Sequence, residues 1–242
     1  DGDALTYCWE QYDLGPLADM GSPVEDSPLF RSLPPASPSN RVFPRLQAIL
    51  GGLTEEVEVL PTYSRNMTFR QTVRDNYPEG GGTIWNEVKF KATGLAGPFL
   101  VTHPNSNGIQ FPGGSFQTIT WDVANTDQAP VHCQSVNIRL SINGGQTFPY
   151  TLLAATPNTG SATVSIPNIT AASARIRVEA ADNIFFDLSN FNFQIVPPTV
   201  PGFTFLVNAP LSQTVCIPGE VEIDFSSGSV LGYDSLLTLD IP

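Results

Sequence analysis

The chain has 242 residues, enough for one large or two to three small domains with proper hydrophobic cores. Twenty-two prolines, 20 glycines and only two lysines, Lys89 and Lys91, with Thr and Ser recurring between short apolar runs, give the composition of a loop-rich all-β protein. A formal net charge of -12 repels a phosphate backbone and so argues against a nucleic-acid partner, and no apolar run reaches the length of a membrane-spanning helix.

The first predicted element is a strand, "ALTYCWEQY", with Leu5, Tyr7 and Trp9 at period two. Only "DGD" precedes it, and the sequence is expected to open inside a β-fold. A proline- and serine-rich excursion follows, "GSPVEDSPLFRSLPPASPSNRVFP", too broken for regular structure. A short helix is predicted at "PRLQAILGG", with Pro44 at its start and Gly51 at its end. In "NMTFRQTVRDN", Met67, Phe69, Gln71 and Val73 alternate with Thr68, Arg70, Thr72 and Arg74, which predicts a strand with its arginines outward. The turn "NYPEGGGTI" leads to "WNEVKFKAT", whose Trp85, Val88 and Phe90 are expected in the core. The three glycines suit a hairpin; a phosphate cradle would need a following helix N-terminus and a lysine. Residues 1–96 therefore read as a β-sandwich domain without its first strands.

Residues 97–197 carry seven to eight short runs of strand character separated by Gly, Pro and Asn turns, from "GPFLVTHPNSN" to "FFDLSNFNFQIV". That spacing over about a hundred residues predicts a complete immunoglobulin-like sandwich, with Trp121 of "TITWDV" in its core. "PPTVPGF" is a proline linker, and residues 198–242 supply the linker and the first half of a third sandwich. The fold class is thus all-β: tandem immunoglobulin-like β-sandwiches, the first and last incomplete.

These segments carry a family resemblance. "DGDALTYCWEQYD", followed by "TFRQTVRDN" and "GGG", resembles the later strands of a polycystic-kidney-disease or cadherin-like repeat. The stretch from "GPFLVTHPNS" through "GGSFQTITWDVANTDQAP" and "LSINGGQTFPYTLLAATPNTGSATVSIPN" to "NFNFQI" resembles the immunoglobulin-like module that follows the catalytic domain of secreted bacterial reprolysin-like zinc metallopeptidases. "SQTVCIPGEVEIDFSSGSVLGYDSLLTLDIP" is similar to the start of a further sandwich in the same proteins. The resemblance implies a secreted or bacterial cell-surface protein in which zinc belongs to a catalytic domain outside this sequence. Such peptidases hold zinc through H-E-x-x-H-x-x-G-x-x-H, whereas this chain has only His103 and His132, neither followed by glutamate.

Few residues suggest chemistry. Asp1, Asp3 and Asp75 are candidate carboxylates for a Ca²⁺ site at one end of the first domain; the preferred alternative is that Gly2 and Asp3 form a tight turn and that Asp75 with Asn76 starts another. His132 beside Cys133 invites a metal or Cys-His nucleophile reading, but it lacks a third ligand or an orienting acid. The three cysteines, Cys8, Cys133 and Cys216, are an odd number without zinc spacing, and a Cys133–Cys216 pairing stays open. "SINGGQTF" resembles an Asp-box hairpin with Asn143 in place of the aspartate, in which Ser141 and Thr147 can hydrogen-bond across the base of an Asn143-Gly144 turn. Asn66 and Asn168 match the glycosylation sequon, and Tyr63, Tyr150, Phe185 and Phe186 are candidates for a sugar-stacking platform, although most such aromatics in sandwiches are core.

No catalytic centre is expected within the chain, and no cofactor beyond possible calcium. The expected role is spacing and adhesion downstream of a reprolysin-like zinc metallopeptidase domain, with the cell envelope or an extracellular protein or polysaccharide as partner. Self-association by strand addition, as in a surface filament or adhesin subunit, is the main rival. A carbohydrate-binding module is the second.

Overall fold

The computed structural model describes residues 4–19, 21–52, 57–207, 224–236 and 238. The chain is almost entirely β and divides into two compact units, Asp1–Leu95 and Ala96–Pro242.

In the first unit, strands β1 (Thr6–Gln11), β2 (Arg65–Arg74) and β3 (Thr83–Ala92) form one antiparallel sheet in that order, with Tyr7 opposite Val73 and Phe69 opposite Val88. The helix α1 (Leu46–Gly51) forms where expected, shifted by a residue: Arg45 occupies the N-cap, and Gly52 closes the helix in the left-handed conformation (φ 62°). Among its described residues, the excursion between β1 and helix α1 has no helix or extended strand, yet it supplies the layer that packs on the sheet. Its Leu29, Phe30 and Phe43 pack on Met67 and Phe69. The Phe43 and Phe69 rings lie 4.6 Å apart, and Phe90 stacks on Phe69 at 5.7 Å.

Polar side chains hold this excursion down. Gln11 Oε1 accepts the Leu29 and Phe30 N–H groups at 2.6 and 3.0 Å. Arg65 is buried and donates to the Ser27 carbonyl at 2.7 Å. Arg41 donates to the carbonyls of Trp9 (2.8 Å) and Arg31 (2.9 Å) and pairs with the buried Glu58, whose other oxygen accepts the Arg45 N–H at 2.6 Å. A buried carboxylate satisfied in this way is costly to break from either side.

The expectation that Trp85 and Val88 are core residues is corrected: they are 56 % and 45 % exposed, and Ile84 on the same strand is 71 % exposed. Val88 and Ile84 do lie on the packed face of the sheet, but the buried apolar residues of the excursion pack at its Met67–Phe90 end. Trp85 lies on the opposite face, and only Phe90 of the three packs on the core.

The second unit contains a two-sheet sandwich. Strands β4 (Leu100–His103), β6 (Phe116–Asp122) and β9 (Ser161–Ser165) make the smaller sheet. The larger sheet runs β5 (Gln110–Pro112), β12 (Phe193–Val196), β10 (Ala171–Ala180), β7 (Ser135–Ser141), β8 (Tyr150–Pro157), with β11 (Phe186–Leu188) also pairing β10. The chain crosses from one sheet to the other between β4 and β5, and β5 then pairs parallel with β12. This order, with inward alternate residues from both sheets, is that of an immunoglobulin-like sandwich. Val101, Ile119 and Trp121 of the smaller sheet meet Ile138, Ile176 and Phe193 of the larger.

One buried amide organises the end of this sandwich. Asn158, in the β8–β9 turn, is 5 % exposed and accepts the Trp121 indole N–H on Oδ1 at 2.8 Å. Its Nδ2 donates to Thr126 Oγ1 and to the Cys133 carbonyl, each at 3.0 Å. The Trp121 backbone is tied to the same turn through the Gly160 carbonyl at 2.9 Å.

Beyond the sandwich, β13 (Gly202–Val207) and β14 (Phe225–Val230) form a two-stranded antiparallel sheet within the same unit. Phe203 meets Phe116 edge-on at 6.0 Å, and Val230 is buried over Gly114, where an added Cβ would come within 2.4 Å of the valine. Gly114 also has φ +75°, so the site tolerates neither a side chain nor its usual backbone.

Asn158→Ala leaves the Trp121, Thr126 and Cys133 groups without their partner in a dry site, and is expected to cost roughly 2–4 kcal/mol. Urea unfolding followed by tryptophan fluorescence measures this. A loss below about 0.5 kcal/mol would show that water replaces the amide freely.

Candidate functional site

Several residues that the sequence singles out for chemistry are held in framework roles. Asp75 closes the β2–β3 hairpin by accepting the N–H groups of Gly82 (2.9 Å) and Tyr77 (3.2 Å), and these bonds, Gly82 first, hold its carboxyl below the usual range. Its calcium candidates Asp1 and Asp3 lie outside the described residues. Among the described residues, no group of three or more His, Cys, Asp or Glu is placed to hold a metal ion.

His132 and Cys133 do not form a dyad. His132 is exposed in a left-handed turn (φ 56°), whereas Cys133 is 1 % exposed with its thiol directed at the Ser135 carbonyl, 3.3 Å away. Burial, reinforced by the Asp182 carboxylate, pushes the Cys133 thiol up to about 11, so it is protonated and a poor nucleophile at neutral pH. Cys8 is also a buried free thiol, and Cys216 lies outside the described residues. The other histidine, His103, is half-buried on β4 beside the Phe111 ring.

The Asn143 hairpin has the geometry of its motif. Ser141 Oγ donates to Asn143 Oδ1 at 2.8 Å and accepts the Gly145 N–H at 2.9 Å. Asn143 Oδ1 accepts the Thr147 N–H at 3.0 Å while Nδ2 donates to Thr147 Oγ1 at 2.9 Å, and Gly144 sits at φ 72°. These bonds tie Ser141, Asn143 and Thr147 to one another, and the Gly144 N–H donates to the Ser173 carbonyl at 2.7 Å, which makes it a rigid turn. The four proposed stacking aromatics are half-buried and individually engaged. Tyr63 donates to the Glu25 carbonyl, Tyr150 packs on the sandwich core, Phe185 packs on Phe99, and Phe186 lies under Arg177. Both sequon asparagines, Asn66 and Asn168, are exposed.

Two side-chain clusters emerge only from the strand register. On the first unit, Arg70 lies between the rings of Tyr12 (3.6 Å) and Trp85 (4.1 Å) and pairs with Glu87 opposite it on β3 at 2.7 Å. On the outer face of the larger sheet of the second unit, Arg139 and Arg177 stand directly opposite each other on β7 and β10. Arg139 Nε donates to Glu179 Oε1 at 2.6 Å, Arg177 Nε lies 2.7 Å from Glu179 Oε2 as an ion pair without hydrogen-bond alignment, and the Arg177 guanidinium carbon lies over the Phe186 ring, 4.1 Å from its centroid. Burial lowers the Arg177 pKa against the pull of Glu179, yet a guanidinium stays charged throughout the physiological range. Each strand's sequence carries these arginines at outward alternate positions, so their exposure was readable; their juxtaposition depends on pairing that no local pattern reveals.

A third group, Asp187, ties the two sheets together along their edge. Its carboxylate on β11 accepts the Val101 N–H of β4 at 2.6 Å, and desolvation raises its pKa despite that bond.

No protein-family model matches the chain, and no curated protein matches it.

Because folded Asp187 favours the neutral acid, its contribution to stability is whole below the ordinary carboxyl range and is lost as pH rises through the raised folded value. Asp187→Asn keeps an oxygen for the Val101 N–H and removes the buried charge. Its thermal midpoint is expected above that of the parent at pH 7, with the difference vanishing near pH 3. An equal or lower midpoint at pH 7 would mean that the charged hydrogen bond outweighs desolvation.

Proposed function

We propose that the chain is a non-catalytic β-sandwich region of a secreted or bacterial cell-surface protein, working as a spacer and adhesion segment downstream of a reprolysin-like zinc metallopeptidase domain. The observation that carries this reading is where the chemically capable side chains are placed. Asp75, Asn143, Asn158 and Cys133 each hold a turn or loop through hydrogen bonds that use their reactive atoms. The sandwich so stiffened presents broad sheet faces rather than an enclosed cleft, the form suited to spacing domains and to contact with extended surfaces. The partner is the cell envelope or an extracellular protein or polysaccharide.

The purified 242-residue chain, mixed with washed bacterial envelope fragments, is expected to co-sediment saturably and to leave casein intact in the presence of added Zn²⁺. Chelator-sensitive casein cleavage by this chain would overturn the non-catalytic reading, and failure to sediment with envelopes would remove the adhesive role.

A second reading, self-association by strand addition, draws on β3. This ten-residue strand is the edge of its sheet, and its Ile84 and Val88 are exposed on the face that packs further along. A second copy adding a strand there would pair the free edge of β3 and set apolar side chains beside both. Sedimentation velocity is then expected to show a concentration-dependent dimer that Ile84→Lys with Val88→Lys abolishes; a monomer at all concentrations would sink this alternative.

A further inference from the structure

We infer that the Arg139–Arg177 pair on the outer face of the larger sheet is a docking site for the carboxylates of an acidic, uronate-bearing polysaccharide. The first ground is charge segregation. Residues 96–242 contain ten Asp and Glu but only three basic residues, Arg139, Arg175 and Arg177. Register places all three on neighbouring positions of one sheet face, with Arg175 opposite Ser141 and Arg177 opposite Arg139. An acidic unit that gathers every cation on one face presents a local positive patch against a repulsive background.

The second ground is the state of the guanidinium groups. Arg175 is buried, with Nε donating to Asn192 Oδ1 at 2.8 Å, so it supports the framework. Arg139 and Arg177 are 38 % and 28 % exposed and share the single carboxylate of Glu179 through their Nε atoms, leaving the trio one positive charge in excess. Among the described residues, their terminal amino groups have no hydrogen-bond partner. The ion pair with Glu179 and the contact with the Phe186 ring hold the Arg177 guanidinium in place, so part of the ordering entropy of a flexible arginine is lost before any ligand arrives. What remains is a pair of oriented forks, the geometry that suits a planar carboxylate.

The third ground concerns the polymer. The forks lie on an open sheet face rather than in a cleft. Half-buried Phe148 and Phe186 flank Arg177, at 5.8 and 4.1 Å from its guanidinium carbon, and Thr151 stands opposite Arg139. The Phe186 ring is covered by Arg177 and positions the fork, which leaves half-buried Phe148 as the apolar ring surface beside it; that pairing suits a sugar acid, which has a C–H face and a carboxylate on one ring. This inference gives a ligand class to the adhesive role proposed above and rests on that reading only for its biological sense.

The test is titration calorimetry of the whole chain with oligogalacturonate at low salt, with neutral galactan and polyglutamate of similar length as comparators. Oligogalacturonate is expected to bind, to weaken as salt rises, and to lose about tenfold or more in affinity in Arg139→Gln and in Arg177→Gln. Arg31→Gln, which makes the same change in net charge at an exposed site of the other unit, is expected to bind like the parent. Arg139→Lys keeps the charge without the fork and is expected to bind more weakly than the parent. Circular dichroism melts confirm that each variant is folded. Absence of oligogalacturonate binding, equal loss in Arg31→Gln, or binding of polyglutamate as tight as that of the uronate would each overturn the assignment. Envelope binding that persists without uronate affinity would refute this site while leaving the adhesive role standing.

Discussion

The immunoglobulin-like unit depends on the hydrogen bond between the Trp121 indole and Asn158. A tryptophan at the centre of a sandwich brings the largest apolar surface of any side chain together with one N–H that cannot be left unpaired in a dry core. Asn158 accepts that N–H and uses its own two donor hydrogens on Thr126 and Cys133, so one amide joins strand β6, the loop that leads to β7 and the β8–β9 turn. Where an antibody domain uses a disulfide beside its tryptophan, this unit uses a carboxamide. The free Cys133 contributes its carbonyl to the arrangement and its sulfur to the packing.

The first unit reaches a core by another route. Three strands cannot bury their own apolar face, and here the covering layer is irregular chain, drawn onto the sheet by Leu29, Phe30 and Phe43 and fixed by Gln11, Arg65 and the Arg41–Glu58 pair. Each of these ties satisfies backbone groups that an irregular segment would otherwise leave unpaired. The coverage stops part-way along the sheet, which is why the apolar alternation of β3 continues into solvent.

Much of this was legible in the sequence. The runs from "GSFQTITWDV" to "ARIRVEAAD" fold as strands because their alternation is local and strict, and Trp121 and the Asn143 turn could be placed from residue type alone. The three-residue strand β5 was missed, since it exists only through parallel pairing with β12, more than eighty residues away. Trp85 and Val88 were misjudged because period two separates two faces without saying whether either is covered. The Arg41–Glu58 tie and the Arg139–Arg177 pair were hidden for the same reason: each joins residues far apart in sequence through register or loop placement. The Asp75 turn was legible from residue type, and its bonds to Gly82 and Tyr77 follow the habit of Asp at turn starts.

The parallel pairing of β5 with β12 also has a mechanical meaning. Gln110, Phe111 and Pro112 run alongside Gln194, Ile195 and Val196 in the same direction, near the start and the end of the sandwich. Tension between the segments entering and leaving the sandwich would therefore pull these strands past each other lengthwise. Bonds stressed in that shear direction share the load and yield together, whereas a pair peeled from one end breaks one bond at a time. The same short strand that carries the chain from one sheet to the other thus sets how the unit resists being stretched.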